Sequence, residues 1–331
     1  MNTNLSKPFV SVIIPVKNAE KFLAKCLESL NNLDYPKDRY EVIISDSDST
    51  DRTRIIADSG GARVIMADGP SVCAGRNSGF KVAKGDIIAF SDADCIMDKE
   101  WISNAIKYFD DEKVGCVGGP SLIPEDETAF GKACGFIFSY SLFTGGSTYG
   151  RSFNKALEVS HNPGCNAIYR RSALERVMPV DEEFVEGEDV MMNKLLGRLG
   201  YKFLFTPDTK LRHYRSSTPK RFFKQNIRYG VGRVLLGRRD RELINPMHIL
   251  VGFSLPLLAI AIITSLAISV SLTIILTIFG ITFLSLYTFL AFIKTRSFKV
   301  ALNVPFAIIL LMAGWSIGFM KETCSPSHRK G

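Results

Sequence analysis

The seven cysteines, Cys26, Cys73, Cys95, Cys116, Cys134, Cys165 and Cys324, include no C-x-x-C pair and no metal-ligand spacing. That argues against a zinc ribbon and fits scattered reduced thiols in a cytosolic domain. A secretory leader is also missing. Met1 to Pro8 is short and polar, and the next apolar run, Phe9 to Val16, is β-branched and too brief to be one. There is no internal repeat and no low-complexity tract. With 46% hydrophobic and 22% charged residues, neither disorder nor a collagen-like chain is possible.

Charge disappears near the end of the chain. Met247 to Ile293 is 47 residues without Asp, Glu, Lys or Arg, and Val300 to Met320 adds 21 more. A membrane-spanning helix needs about 20 apolar residues, which predicts spans at about 247–268, 271–293 and 300–320. A transporter or channel needs charged groups inside its spans, and these have no Asp, Glu, Lys or Arg.

The net charge of +8 is concentrated in one segment. Between Lys210 and Arg241 stand eleven Lys or Arg and one acid, a local balance of +10, so the remainder is about −2. Phe222, Phe223, Ile227, Val231, Val234 and Leu235 interleave there with Lys224, Arg228, Arg233, Arg238 and Arg239. The pattern predicts an amphipathic interfacial helix on an anionic membrane surface within 210–246. No groove-reading motif accompanies it, so no nucleic-acid partner is expected. Lys294, Arg296 and Lys299, between the second and third spans, add to a cytoplasmic bias. The tail, 321–331, then falls outside, where Lys321, Arg329 and Lys330 run against the same rule.

Residues 9–118 alternate strand and helix signals. Phe9 to Ile14 reads as a buried strand ended by Pro15, with further strands at Val42–Ser45, Arg63–Met66, Asp86–Ser91 and Val114–Val117. Phe22, Leu23, Cys26, Leu27 and Leu30, and later Trp101, Ile102, Ala105, Ile106 and Phe109, recur at helical spacing. This is the pattern of a mainly parallel α/β sheet covered on both faces, in which ligands bind beyond the carboxyl ends of the strands. Ala129 to Arg151 is glycine-rich and predicts a loop or surface helix near the membrane. Ser172-Ala-Leu-Glu175 has the form of a capping box, and Asp189 to Leu199 that of a helix.

Three acidic clusters fall at strand or helix ends: Asp46, Asp48 and Asp51; Asp92 and Asp94; Glu186, Glu188 and Asp189. In an extended segment Asp92 and Asp94 share a face, and two hard oxygen ligands suit Mg²⁺ or Mn²⁺. Asp48 and Asp51 fit turn and cap roles equally well, as Glu188 and Asp189 fit the first turn of a helix.

Taken in order, several motifs resemble glycosyltransferase family 2: Val10-Ser-Val-Ile-Ile-Pro-Val-Lys-Asn18, Glu41-Val-Ile-Ile-Ser-Asp46 with Ser49-Thr-Asp51, Gly75-Arg-Asn77 with Gly79, and Ser91-Asp-Ala-Asp94. Gly164-Cys-Asn-Ala-Ile-Tyr-Arg-Arg171, Gly187-Glu-Asp189 and Gln225-Asn-Ile-Arg-Tyr229 continue it to about residue 240. The resemblance implies a GT-A fold over 1–209, a nucleotide-sugar donor, a divalent metal and inversion at the anomeric carbon. Membrane-anchored transferases of exopolysaccharide or lipid-linked glycan, such as the succinoglycan type, look nearest.

Carried over, the resemblance gives Asp46 the donor base, with Pro15, Val16 and Asn18 lining the nucleotide. Arg76 falls beside the base or diphosphate, Asp92 at the ribose or metal, and Asp94 and His213 on the metal. Asp189 becomes the general base with Glu188 in support, and Gln225, Arg228 and Tyr229 close over the diphosphate and acceptor. Ser47 and Tyr229 depart from the family's usual Asp and Trp; Tyr229 argues against a processive cellulose- or chitin-type synthase. The expected acceptor is a polyprenyl-linked glycan or growing polysaccharide at the inner membrane, with the catalytic domain in the cytoplasm. The rivals are transfer to polyprenyl phosphate itself and a non-catalytic nucleotide-sugar-binding subunit of a synthesis complex.

Overall fold

The computed structural model describes residues 7–182, 184, 186–215 and 218–325. Expectations for the last six residues of the tail lie outside these. The chain begins β1 (Val10–Val16), α1 (Leu23–Asn31), β2 (Tyr40–Asp46), α2 (Thr53–Ser59), β3 (Arg63–Met66), α3 (Val72–Val82) and β4 (Ile87–Ser91). Next come β5 (Cys95–Met97), α4 (Trp101–Ile106), β6 (Val114–Gly118), β7 (Ser121–Leu122), α5 (Ala129–Phe138) and α6 (Ser141–Thr144). β8 (Leu157–Val159), β9 (Asn166–Arg170), α7 (Arg171–Leu174), α8 (Glu188–Arg198), β10 (Lys202–Phe205) and β11 (Leu211–His213) follow. The remainder is helical: α9 (Pro219–Arg239), α10 (Pro246–Gly252), α11 (Ser254–Ile268), α12 (Val270–Thr295) and α13 (Phe298–Thr323). Two compact units result, Met1–Pro124 with Ser147–Tyr214, and Glu125–Gly146 with Arg215–Gly331.

In the first unit an eight-stranded sheet runs β3-β2-β1-β4-β9-β6-β10-β8. The β3-β2-β1-β4 half is parallel, and β9 is antiparallel to both β4 and β6. β1 shows why its run is apolar but for Ser11, whose buried hydroxyl donates to Glu41 at 2.7 Å. Val10, Val12, Ile14 and Val16 pack into one buried cluster with α1, while Ile13 joins Ile43, Ile88 and Phe90 in another. Both faces of the strand are covered, so neither is polar. β1 continues through Pro15 to Val16 instead of stopping at the proline. Its pairing with β4 ends at Ile13 and Phe90, so the missing N–H interrupts no bond on that side.

Two other local expectations are corrected. The capping box at Ser172 does not form: α7 starts at Arg171, with Arg170 at the cap and no side-chain cap bond. β9 stays paired with β4 as far as Arg170, so the helix begins directly off the strand. Asp92 to Asp94 is a turn between β4 and β5, not an extended segment, and is closed by Cys95 N–H donating to the Asp92 carbonyl at 3.1 Å.

A second sheet, β5-β11-β7, sits at the same strand ends. Its antiparallel register sets His213 opposite Cys95. Residues more than a hundred positions apart are thereby made neighbours.

In the second unit, α5 is not the surface helix expected, whereas α6, with no buried residue, is one. Phe130, Gly131, Ala133, Cys134 and Phe136 to Phe138 of α5 are buried, with the Phe130 ring 5.8 Å from Phe222 and 6.2 Å from Phe306. α9 exists as expected; of its apolar stripe Phe222 and Val234 are buried, and Asn226, Gly230, Gly232 and Leu236 are buried with them. It packs on α13 backbone to backbone. A Cβ at Gly314 would lie 2.8 Å from the Phe223 carbonyl oxygen, and one at Gly318 2.0 Å from that of Ile227. Gly314 and Gly318 are four apart, the small-residue spacing that lets helices approach closely.

Gly318→Leu should therefore separate α9 from α13 and lower the thermal midpoint of the detergent-solubilised chain. The overpacking cost should reach the top of the about 1–3 kcal/mol range or beyond. Gly280→Ala on α12 is the control, because nothing lies within 4 Å of a Cβ there. Equal midpoints for the two variants would contradict this reading of the contact.

Val270–Thr295 and Phe298–Thr323 are long and apolar enough to cross a membrane. The first expected span is instead a pair of helices, α10 and α11, bent by 63°. Pro256 explains the break: it has no N–H for the Gly252 carbonyl four residues earlier. The Ser316 hydroxyl of α13 fills that place, donating to Gly252 O at 2.8 Å and accepting from Leu255 N–H at 3.3 Å.

Candidate active site

The carboxyl ends of β1, β2 and β4 carry the first group of expected residues. Val16 and Asp46 are register partners at the ends of β1 and β2. Asn18 takes a left-handed φ of 53°, which Asn tolerates better than most residues. From there its side chain accepts from Thr50 N–H at 2.9 Å, and its own N–H donates to Ser49 Oγ at 2.9 Å. Asp46 is fully buried. Oδ2 accepts from Ser49 N–H at 3.1 Å and lies 3.4 Å from Arg54 Nε, while Oδ1 has no hydrogen-bond partner. A buried acceptor left open is costly unless a ligand donates to it. Arg54, which neutralises Asp46, was missed in the sequence; it lies eight residues on, inside an ordinary polar helix.

Arg76 on α3 is buried and joins two of the acidic clusters. Its guanidinium pairs with Glu188 at the start of α8, lies 3.5 Å from Asp92, and covers the Phe90 ring at 5.3 Å. A side chain at Gly164 would collide with it, the Cβ falling 2.6 Å from Nη1. Arg76 thus organises carboxylates in the site, where the resemblance gave it the base or diphosphate.

Burial pushes the Glu188 and Asp92 carboxyls up to about 7 each, against the pull of Arg76 and with neighbouring carboxylates adding to the rise. A raised acid holds its proton in the folded chain after the unfolded chain has lost it. That contribution is complete below the ordinary carboxylate range and is lost as pH rises through about 7. Thermal midpoints should accordingly fall between about pH 5 and pH 7.5. Glu188→Gln should remove its share and leave a shallower slope, and an unchanged slope would contradict the assignment.

Asp94 meets His213 across the second sheet, Oδ1 to Nε2 at 3.1 Å. The Asp94 carbonyl accepts from Tyr214 N–H at 3.0 Å, which fixes the turn. The ligand atoms of Asp94, Cys95 and His213 lie within 4.8 Å of one another. Asp92 is turned to Arg76 and is not in that group. A carboxylate oxygen and an imidazole nitrogen brought together fit a divalent cation such as Mn²⁺. Burial pushes the Cys95 thiol well up, so it stays protonated beside them.

Asp189 opens α8, preceded by Gly187 at a φ of 91° that favours glycine. Its Oδ1 accepts from Val190 N–H at 2.8 Å and its Oδ2 from Gly164 N–H at 2.8 Å. His161 Nε2 lies 3.8 Å from the same Oδ2. His161 had no signal in the sequence beyond its place before Asn162-Pro-Gly164. Gln225, Arg228 and Tyr229 lie on α9 in the second unit, where Gln225 donates to the Tyr229 hydroxyl at 2.8 Å.

A mixed α/β sheet with acidic residues at the carboxyl ends of its strands, a His returned by a small second sheet and an acid opening a later helix define the GT-A class of fold. A Pyrobaculum calidifontis mannosyltransferase in complex with GDP-Man and Mn²⁺ superposes with a TM-score of 0.65 at 19% identity, covering 93% of this chain and 88% of that one. Staphylococcus aureus TarS 1–349 in complex with UDP superposes at 0.53 and 18%, over 97% and 93%. The family model for glycosyl transferase family 2 matches residues 11–178, and the chain belongs to that family. Glycosyltransferase AglE of Haloferax volcanii is 30% identical over 267 residues, 74% of this chain and 81% of its own. A dolichyl N-acetyl-α-D-glucosaminyl phosphate 3-β-D-2,3-diacetamido-2,3-dideoxy-β-D-glucuronosyltransferase of Methanococcus voltae is 29% identical over 244 residues, 70% and 74%.

Proposed function

We propose that this family 2 enzyme is a membrane-anchored, inverting, metal-dependent transferase that moves a sugar from a nucleotide-sugar donor to a polyprenyl-linked glycan or growing polysaccharide. The observation that carries the reading is Arg76, which ties Asp92 of the β4 turn to Glu188 beside Asp189. Donor-side acids and the base therefore share one cluster. The open Oδ1 of Asp46 receives an N–H of the donor base, in a pocket edged by Pro15, Val16 and Asn18. A Mg²⁺ or Mn²⁺ held by Asp94 and His213 offsets charge on the leaving diphosphate when bound. Asp189 takes the proton from the acceptor hydroxyl as that oxygen bonds the anomeric carbon and the nucleoside diphosphate departs, which inverts the centre.

The membrane reading rests on α12, α13 and the basic face of α9, with the catalytic unit cytoplasmic, spans at about 271–293 and 300–320, and the bent α10–α11 pair entering the bilayer as a broken first span. Gln225, Arg228 and Tyr229 serve the diphosphate and acceptor. The Methanococcus relative is named for a dolichyl phosphate that already carries a sugar, which favours a lipid-linked glycan over bare polyprenyl phosphate as acceptor.

The test supplies the full chain in detergent with UDP- and GDP-sugars, Mn²⁺, and either polyprenyl phosphate or its N-acetylglucosamine derivative. A product of inverted anomeric configuration on the derivative is expected. Product on bare polyprenyl phosphate alone would favour the rival, and nucleotide binding without turnover would favour a non-catalytic subunit.

A further inference from the structure

Resting on the reading of Asp189 as the base, we propose that His161 is its positioning residue, locked by a buried relay into the tautomer that donates toward Asp189 and cannot compete for the acceptor's proton. The relay begins at Asn193 of α8, which is buried. Its Nδ2 donates to the Asn162 carbonyl at 2.9 Å, and a carbonyl only accepts, so the orientation of the amide is determined. Oδ1 then faces the Tyr169 hydroxyl, which donates to it at 2.7 Å. The second contact of Nδ2, at 2.7 Å, is His161 Nδ1. That ring nitrogen must accept, so in the neutral ring the proton sits on Nε2. Nε2 is the atom facing Asp189 Oδ2 at 3.8 Å.

The consequence is chemical. An imidazole with Nδ1 engaged by an amide and Nε2 already protonated has no open lone pair. His161 therefore supplies a positive edge to Asp189 and keeps the carboxylate aimed, while the proton lost by the acceptor hydroxyl goes to Asp189. Gly164 N–H holds the same oxygen from another direction at 2.8 Å. Together they leave Asp189 with restricted freedom, the condition under which a general base is effective.

The test uses ¹⁵N-histidine-labelled full chain in detergent, whose four histidines are few enough to assign by substitution. His161 should show the Nε2–H signature, moving to Nδ1–H in Asn193→Asp, where an acceptor replaces the amide donor. An Nδ1–H or imidazolium signature in the unsubstituted chain would overturn the proposal. Kinetics on UDP- and GDP-sugars with polyprenyl-phosphate N-acetylglucosamine supply the second readout. His161→Leu should lower kcat about tenfold or more with donor KM nearly unchanged, and His161→Gln, which restores an N–H donor, should recover most of it. His161→Leu at full kcat beside an inactive Asp189→Asn sinks the proposal alone. Equal losses in the Leu and Gln variants also sink it, because packing would then explain both. An active Asp189→Asn would overturn the base assignment itself.

Discussion

Asp189→Asn should reduce transfer by about 10²–10⁴-fold, the usual worth of a general base, while leaving nucleotide binding intact. The separation follows from the geometry. The Asn side chain keeps one oxygen, which can still accept from Gly164 N–H across the site, and gives up only the local bond from Val190 N–H. Asp46, Asp94 and His213 lie on other elements and retain their own bonds. What is lost is the capacity to take a proton. The paired measurement is turnover against thermal stabilisation by nucleoside diphosphate with Mn²⁺, and a variant that transfers within tenfold of the unsubstituted chain would move the base elsewhere. Glu188→Gln should cost less, because Glu188 acts through Arg76 and not on the substrate.

Asp94→Asn and His213→Ala should each abolish the part of nucleotide stabilisation that depends on Mn²⁺. A ligand at a hundred times its Kd stabilises by about 2.7 kcal/mol, a change a thermal midpoint registers easily. Asp92→Asn should lose less of the metal-dependent part, since its carboxylate faces Arg76. Cys95→Ser should leave metal dependence intact, because a soft sulfur is a poor ligand for Mg²⁺ or Mn²⁺. Full metal dependence in both Asp94→Asn and His213→Ala would place the cation outside this pair.

Much of this was legible along the chain because strand ends and helix starts are local. β3 falls where the short Arg63–Met66 strand signal says it should, and the acids at 46, 92, 94 and 189 stand at the ends or starts of elements whose apolar periods are plain. His213 was harder. Only the register of β11 on β5 puts it beside Asp94, and the family resemblance, not spacing, pointed to it. Arg54 and His161 gave no such signal. Each acts through contacts with residues on other elements, and a polar residue in a loop or an exposed helix turn looks the same with or without them.

The helical unit divides the same way. Uncharged runs of 47 and 21 residues identify the apolar helices without any structure. The buried face of α9 was legible only at Phe222 and Val234, because hydropathy scores Asn226 and the glycines as poor core residues. They are buried because α13 approaches so closely that larger side chains do not fit, and the Asn226 amide is satisfied by the Phe222 carbonyl at 2.8 Å.

By itself, then, the sequence determined the layered α/β part, the apolar helices and the acids at the strand ends, since each depends on periodicity or composition within a short window. Only the tertiary structure decided that Arg76 serves Asp92 and Glu188, that His213 meets Asp94, and that His161 faces Asp189 with its proton on Nε2. Those relations are set by distances between separate elements, which no local pattern encodes.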